Sequence, residues 1–405
     1  MFMSSSQWFL SQGRTRLWVA VAGTALAAAL VACGGGGTDA PSGSTPPAAA
    51  TGSYTSGAIS GFGSIIVNGV RFDDSGAQVF DDDGNRRGSD DLKLGAHVEI
   101  EASRIDRAGG SGTATVIRYG SEIVGPVAAV NSAASTFTLL GQTVETTSTT
   151  VFDDSLAGGL SAMTTGLVVE IHAQWDAARS VYVASRIEDK PNATSYKLRG
   201  TVANLDTTAR TFSMGGAVLN YGSATTVPTT LANGAWVRVN LQTTPSNGQW
   251  MVTNFGNESR SRGDHSEAEV KGIITAWTSA TQFSVDGLAV DATNATFREG
   301  TAGVVLGARV EVEGAMVNGV LVATKVHLED SSSHGRGEDY ELHGTVSALD
   351  TSAKTFSLRG LTVSYGSATW KDGSEAQLAN GSRVEVKGDL SSDGATLTAS
   401  RIDFE

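Results

Sequence analysis

Through most of this chain apolar side chains fall at every second position, in short runs separated by glycine-rich breaks. That period belongs to a strand with one face buried and the other in water. Four runs share an aromatic flanked by small or polar residues: Thr136-Phe137-Thr138-Leu139, Thr211-Phe212-Ser213-Met214, Gln282-Phe283-Ser284-Val285 and Thr355-Phe356-Ser357-Leu358. Each meets a glycine near Gly141, Gly215, Gly287 or Gly360 and then a second alternating run, such as Leu361, Val363 and Tyr365, so each pair predicts a hairpin. Ser64-Ile65-Ile66-Val67 before Asn68-Gly69 is a degenerate version of the same unit.

A third recurring run is Gly-x-x-Val-x-Val, seen at Gly95 to Ile100, Gly166 to Ile171, Gly234 to Val239, Gly307 to Val312 and Gly381 to Val386. It reads as an antiparallel strand whose charged face sees water. A closing strand follows, and its parity is broken: Ala184 and Ile187, Ala323 and Val326, and Ala399 and Ile402 are three apart. An odd separation places both residues in the core only if a bulge intervenes, so one extra residue is predicted in the closing strand of these three copies, bending it as a small barrel requires.

Aligned on an opening glycine, the copies begin at Gly57, Gly125, Gly200, Gly272 and Gly344, spaced 68, 75, 72 and 72 residues apart. Solenoid repeats run to about 20 to 50 residues, whereas a chain of about 60 to 65 residues can fold alone. The expected arrangement is therefore beads on a string. The fold class is all-β: five tandem small antiparallel β-barrels, OB-like and of five or six strands each, after an N-terminal signal helix and a flexible tether. Expected boundaries are 1–32 for the signal peptide, 33–53 for the tether, and 54–120, 121–190, 196–258, 267–330 and 340–405 for the barrels. The glycine opening, the phenylalanine strand, the Gly-x-x-Val-x-Val strand and Leu-Thr-Ala-Ser-Arg-Ile at 397–402 resemble bacterial envelope proteins with tandem copies of domain of unknown function 5666, most closely in the second, fourth and fifth copies. That resemblance brings no activity with it.

Arg14 and Arg16 precede an apolar run from Leu17 to Ala32 that stops at Cys33, the only cysteine. A basic start, a short apolar run and small residues before the cut make a secretory signal, and the run is shorter than the about 20 residues of a spanning helix. Leu30-Val31-Ala32-Cys33 resembles the bacterial lipoprotein processing site, in which the cysteine is diacylated. The expected localisation is the cell envelope, with the membrane engaged through an acyl anchor at Cys33. Gly rather than Asp at position 34 resembles the sorting signal for the outer membrane. With Cys33 consumed no thiol is left to pair, so stability must come from burial alone.

Net charge is −13; without residues 1–32 the chain keeps 27 basic against 42 acidic residues, or −15. OB-like barrels bind oligonucleotides or oligosaccharides, but the former requires a basic groove, so no nucleic acid is expected. The acidic segment Asp73 to Asp91 contains Asp81, Asp83 and Asp90, yet Val79 falls where a calcium loop needs its first ligand. His327, His334 and His343, with Glu329, Asp330, Glu338 and Asp339, cluster near the junction of the last two copies, without regular metal spacing. There is no Gly-x-Ser-x-Gly and no free cysteine for nucleophilic catalysis. Trp175, Trp236, Trp250, Trp277 and Trp370 do not align between copies, which suits core or interface contacts better than a shared sugar platform. The expected function is a non-enzymatic, lipid-anchored envelope protein without cofactor, a spacer or interaction array with an envelope protein or glycan partner. The alternative is a ligand-binding lipoprotein for glycan or divalent cation, using the acidic loop of the first copy or the last junction. Specific chemistry is expected where the copies differ.

Overall fold

Five strands close each copy in one order. In the second copy Ile123–Asn131 pairs antiparallel with Thr136–Leu139 along its later half and with Val168–Asp176 along its earlier half. Thr136–Leu139 turns back into Gln142–Phe152, which pairs in parallel with the closing strand Val181–Asp189, and that strand returns antiparallel to Val168–Asp176. The cyclic order is thus first, second, third, fifth, fourth, first, with one parallel pairing, which is the topology of an OB-type barrel. The other four copies repeat it, with parallel closures between Val70–Asp73 and Ser111–Tyr119, Ala217–Asn220 and Trp250–Phe255, Leu288–Asp291 and Val320–Leu328, and Leu361–Ser364 and Thr396–Phe404. The computed structural model describes residues 51–405 apart from 107–108, 157, 257–261, 330–339, 360 and 392–395. The signal helix, Cys33, most of the tether and His334 lie outside the described residues.

The recurring residues fill these barrels. Phe137, Phe212, Phe283 and Phe356 are buried, as are the alternating pairs Val169 and Ile171, Val310 and Val312, and Val384 and Val386. The bulge predicted for three copies occurs in all five. Between the fourth and fifth strands the register skips Ser185, Thr324 and Ser400, and likewise Thr115 and Thr253. Each skipped residue carries a hydroxyl, and each hydroxyl donates to a carbonyl of the facing strand: Thr115 to Glu101 at 2.9 Å, Ser185 to His172 at 3.2 Å, Thr253 to Asn240 at 3.1 Å, Thr324 to Glu313 at 3.2 Å and Ser400 to Lys387 at 3.0 Å. The extra residue thus satisfies a carbonyl that the interrupted ladder would leave without its partner.

The opening glycine has an equally local cause. The hairpin between second and third strands is a two-residue turn whose first residue has positive φ, as in Asn68, Leu140 and Asp286, and that residue folds back over the glycine. A Cβ on Gly272 would lie 2.1 Å from Asp286 Oδ2, and one on Gly125 would lie 2.7 Å from Leu140 Cγ. Only glycine leaves room for the turn.

The beads-on-a-string expectation is overturned. Residues 49–405 form one compact unit, because strands of different barrels pair with one another. Ser53–Ser56 of the first barrel lies parallel to Glu267–Val270 of the fourth, Gly61 and Phe62 pair in parallel with Glu341 and Leu342 of the fifth, and Ile123 and Val124 of the second pair with Leu198 and Lys197 of the third. Cores merge as well: the second and third barrels share one continuous hydrophobic cluster, and Tyr54 of the first barrel packs into the fourth. A separate bead would leave these edges open to water and to other chains.

Thr253→Val preserves volume but removes the bulge hydroxyl, and should cost about 1 kcal/mol in chemical denaturation. Deleting Thr253 reverses the facing of the residues beyond it, Phe255 included, and should cost about 3 kcal/mol or more. Equal effects of the two changes would contradict the role given to the bulge.

Candidate functional site

The acidic segment of the first barrel folds into its own hairpin, Gln78–Phe80 with Arg86–Arg87. Asp81 closes it, accepting from the backbone N–H of Asp83 at 3.0 Å and Asn85 at 2.8 Å and from Arg87 Nε at 2.8 Å. Burial pushes its carboxyl up, but the hydrogen bonds from Asn85 and Arg87 outweigh this and hold it below the ordinary value. Asp83 faces Arg238 Nη2 at 3.0 Å, and Asp90 sits exposed in the short 3₁₀ turn Ser89–Asp91. The three are not brought together around a common point: among the described residues the group of His, Cys, Asp or Glu whose ligand atoms lie within 4.8 Å of one another is Glu341, His343 and Glu385.

Asp82, between Asp81 and Asp83, does something else. Its side chain is 7 % exposed and receives Lys197 Nζ at 2.9 Å and Arg238 Nη1 at 2.9 Å, both from the third barrel, with Arg238 itself 4 % exposed. The segment that most resembled a cation loop is therefore an ionic bolt between barrels. Two cations share one buried carboxylate, an arrangement in which loss of the acid leaves both charges uncompensated.

Histidines of the last junction are likewise separated. His327 pairs with Glu299 Oε1 at 2.8 Å within the fourth barrel. His343, buried at the start of the fifth, directs Nε2 to Glu341 Oε1 at 2.8 Å and Nδ1 to Glu405. Arg71 of the first barrel and Lys387 lean on the same carboxylates, Arg71 on Glu341 and, at 3.4 Å, on Glu385, and Lys387 at 3.0 and 3.3 Å. Burial raises the Glu341 carboxyl, but His343, Lys387 and Arg71 overcome it and bring the pKa down to about 2. Any metal there would have to displace two resident cations, so the group works as a clasp between the first and fifth barrels.

Three clefts open where the barrels meet: the widest, about 760 Å³, lies between the first and fourth barrels beside Arg104 and Glu267, and the other two are each walled by four barrels. The smaller, about 60 Å³, is enclosed by the first four barrels and includes His97, Gln174, Trp175, Trp236 and Asp286 in its walls. The larger, about 430 Å³, is bounded by the first, second, fourth and fifth, with Asn68, Thr147, Thr149, Lys271 and Arg309 in its walls. Its volume lies in the range of about 300 to 1,000 Å³ typical of small-molecule sites. Gln174 lines both. Its Nε2 donates to Asp286 Oδ2 at 3.0 Å and its Oε1 accepts from Arg309 Nη1 at 2.8 Å, so one amide of the second barrel orients two charged groups of the fourth. Burial raises the Asp286 carboxyl to about 7, ahead of the opposing hydrogen bond from Ile273, and His97 Nε2 lies 3.7 Å away.

Sequence reasoning passed over Gln174, Asp286 and Arg309. A signal for Asp286 was available: at the turn position where the other copies carry Asn68, Leu140, Gly215 and Arg359, the fourth copy alone has a carboxylate. Tryptophans follow the expected pattern. Trp175 and Trp236 meet across the second and third barrels at 6.4 Å, Trp250 packs edge-on against Tyr196, and Trp370 stacks on Phe404. Trp277 departs from it, with 46 % of its surface exposed while its Nε1 donates to Val304 O at 2.8 Å.

The model for "Domain of unknown function (DUF5666)" matches residues 55–118, 124–188, 271–327 and 343–403. The third barrel is outside these matches although its strand order is the same. No curated protein matches the chain. A solved structure described as drosophila Unr CSD456 aligns with 52 % of this chain and 98 % of its own at 10 % identity and a TM-score of 0.14, too loose to carry an argument.

Asp286 gives a pH prediction. Because its folded pKa is raised, its stabilising contribution is complete below about pH 4 and is lost as pH rises through about 7. Asp286→Asn keeps the positive-φ turn, which asparagine tolerates, and should be more stable than the wild type at pH 8 by up to about 4 kcal/mol, with the advantage vanishing near pH 4. Parallel stability–pH curves for the two proteins would refute the assignment.

Proposed function

The chain belongs to the DUF5666 family, tandem copies of a domain of unknown function, and from that premise we propose that it is a non-catalytic, lipid-anchored protein of the bacterial cell envelope whose five barrels act as one binding body. The observation that carries the reading is the 430 Å³ cleft, whose walls come from four different barrels. A spacer requires barrels in line, whereas barrels joined through their opening strands converge on a shared space. The partner that suits its hydroxyl and amide walls, with Thr147, Thr149 and Asn68, is a glycan rather than a cation. A divalent cation is disfavoured at the one three-ligand group among the described residues, because Arg71 and Lys387 already neutralise it. Acylation at Cys33 would hold this body at the outer membrane through the glycine-rich tether, and the acidic surface of the chain, at −13 overall, agrees with a partner other than nucleic acid.

Both halves of the proposal are testable on the full chain. Wild-type protein should fractionate with membranes and Cys33→Ala with the soluble fraction. Thermal melting in the presence of mono- and disaccharides from the cell envelope should rise for the wild type, and Thr147→Trp, which fills the large cleft, should cancel the rise. Membrane retention of Cys33→Ala would remove the anchor, and a rise unaffected by Thr147→Trp would remove the cleft.

A further inference from the structure

One cation at the 430 Å³ cleft has no carboxylate in direct contact. Lys271 is held by Glu311 at 3.3 Å and Glu329 at 3.1 Å. Glu341 is engaged by His343, Lys387 and Arg71. Arg309 differs: among the described residues it makes no ion pair, and its hydrogen-bond partner is the neutral amide of Gln174, taken by Nη1. Its Nε and Nη2, the two donors on one edge of the guanidinium, have no acceptor from the described residues. Asp286, on the far side of the same amide, and Glu329 act on Arg309 through space, without an ion-pair contact. A guanidinium is always charged and presents its donors as a planar fork. The open edge is not fully buried, so water satisfies it until a ligand displaces that water.

We infer that the large cleft is a site for an acidic sugar, a uronate whose carboxylate is received by the Nε and Nη2 edge of Arg309 while its ring hydroxyls meet the polar wall formed by Ser60, Asn68, Thr147 and Thr149. This rests on the reading of the cleft as the binding site and names its ligand class. A carboxylate matches the fork in shape, since Arg–carboxylate pairs are commonly bidentate. A phosphate ester near its dianion would bring a second negative charge beside Glu329 and Glu341, which line the same cleft. Neutral sugars would leave the fork unfilled, and a site built for a charged group rejects ligands that lack it. Gln174 is the positioning residue, because its amide fixes the guanidinium through Nη1 and keeps the opposite edge turned away from the protein's own acceptors.

The test is calorimetric titration of the full chain in detergent with digalacturonate and with the neutral disaccharide cellobiose. The wild type should bind digalacturonate and bind cellobiose at least about tenfold more weakly. Arg309→Gln should weaken digalacturonate by about tenfold or more, and Arg309→Lys, which keeps the charge and loses the fork, by an intermediate factor. No digalacturonate binding by the wild type, or equal affinity for it in the wild type and Arg309→Gln, overturns the inference. Thr147→Trp separates the two levels of the argument. Cellobiose binding that is lost in Thr147→Trp and unchanged in Arg309→Gln leaves the cleft as the binding site and overturns the acidic ligand, whereas digalacturonate binding that survives Thr147→Trp overturns the cleft and the inference together.

Discussion

A barrel closed by five strands still leaves one edge of its opening strand unpaired, and the packing of this protein follows from where those edges go. The earlier half of each opening strand pairs with the fourth strand of its own barrel, as Ser53–Ala58 does with His97–Ala102 and Lys271 with Glu311. On its other side it presents free N–H and C=O groups, a ready template for another strand. In all five barrels that side is taken by the opening strand of a different barrel, first with fourth, second with third, and fifth with the later half of the first. Sheet edges that would invite aggregation in isolated domains become the joints of a single body. The first barrel is the hub, because both halves of its opening strand are used this way.

Once the edges are joined, residues that differ between copies fall into the seams. Asp82 draws Lys197 and Arg238 of the third barrel onto the first. Arg71 and His343 clasp the first and fifth barrels around Glu341. Gln174 links the second to the fourth, and Tyr340 Oη of the fifth donates to Thr149 O of the second at 2.6 Å. Charged groups at such seams are desolvated, which explains why an acidic chain keeps arginines such as Arg186 and Arg238 buried. Arg309 stands apart from this pattern, since no carboxylate answers it directly.

The strands, hairpins and bulges were legible in the sequence because each has a local cause. Alternation gives the buried face of Phe356 and Leu358, the two-residue turn requires a small neighbour at Gly272, and the odd spacing of Ala399 and Ile402 announces Ser400 as an extra residue. The bulge at Thr253 was not anticipated because the third copy carries Val252 and Phe255 where the others have alanine and a β-branched residue, whereas the one at Thr115 was passed over although Ala114 and Ile117 stand three apart at the matching positions. The seams were not legible at all. Asp82 and Arg238 are ordinary surface residues in sequence, more than a hundred positions apart, and only the edge pairing brings them together. The same holds for the site, since Gln174 and Arg309 belong to strands whose pattern says no more than that they face outward, and outward in a joined body means toward a cleft.

The central claim is that edge pairing makes one body of five barrels, and small-angle X-ray scattering from residues 49–405 tests it most directly. A single compact unit of that length should have a radius of gyration of about 20 Å. Five barrels strung in line would give about 35 Å or more, and a value in that range, persisting at low protein concentration, would contradict the account.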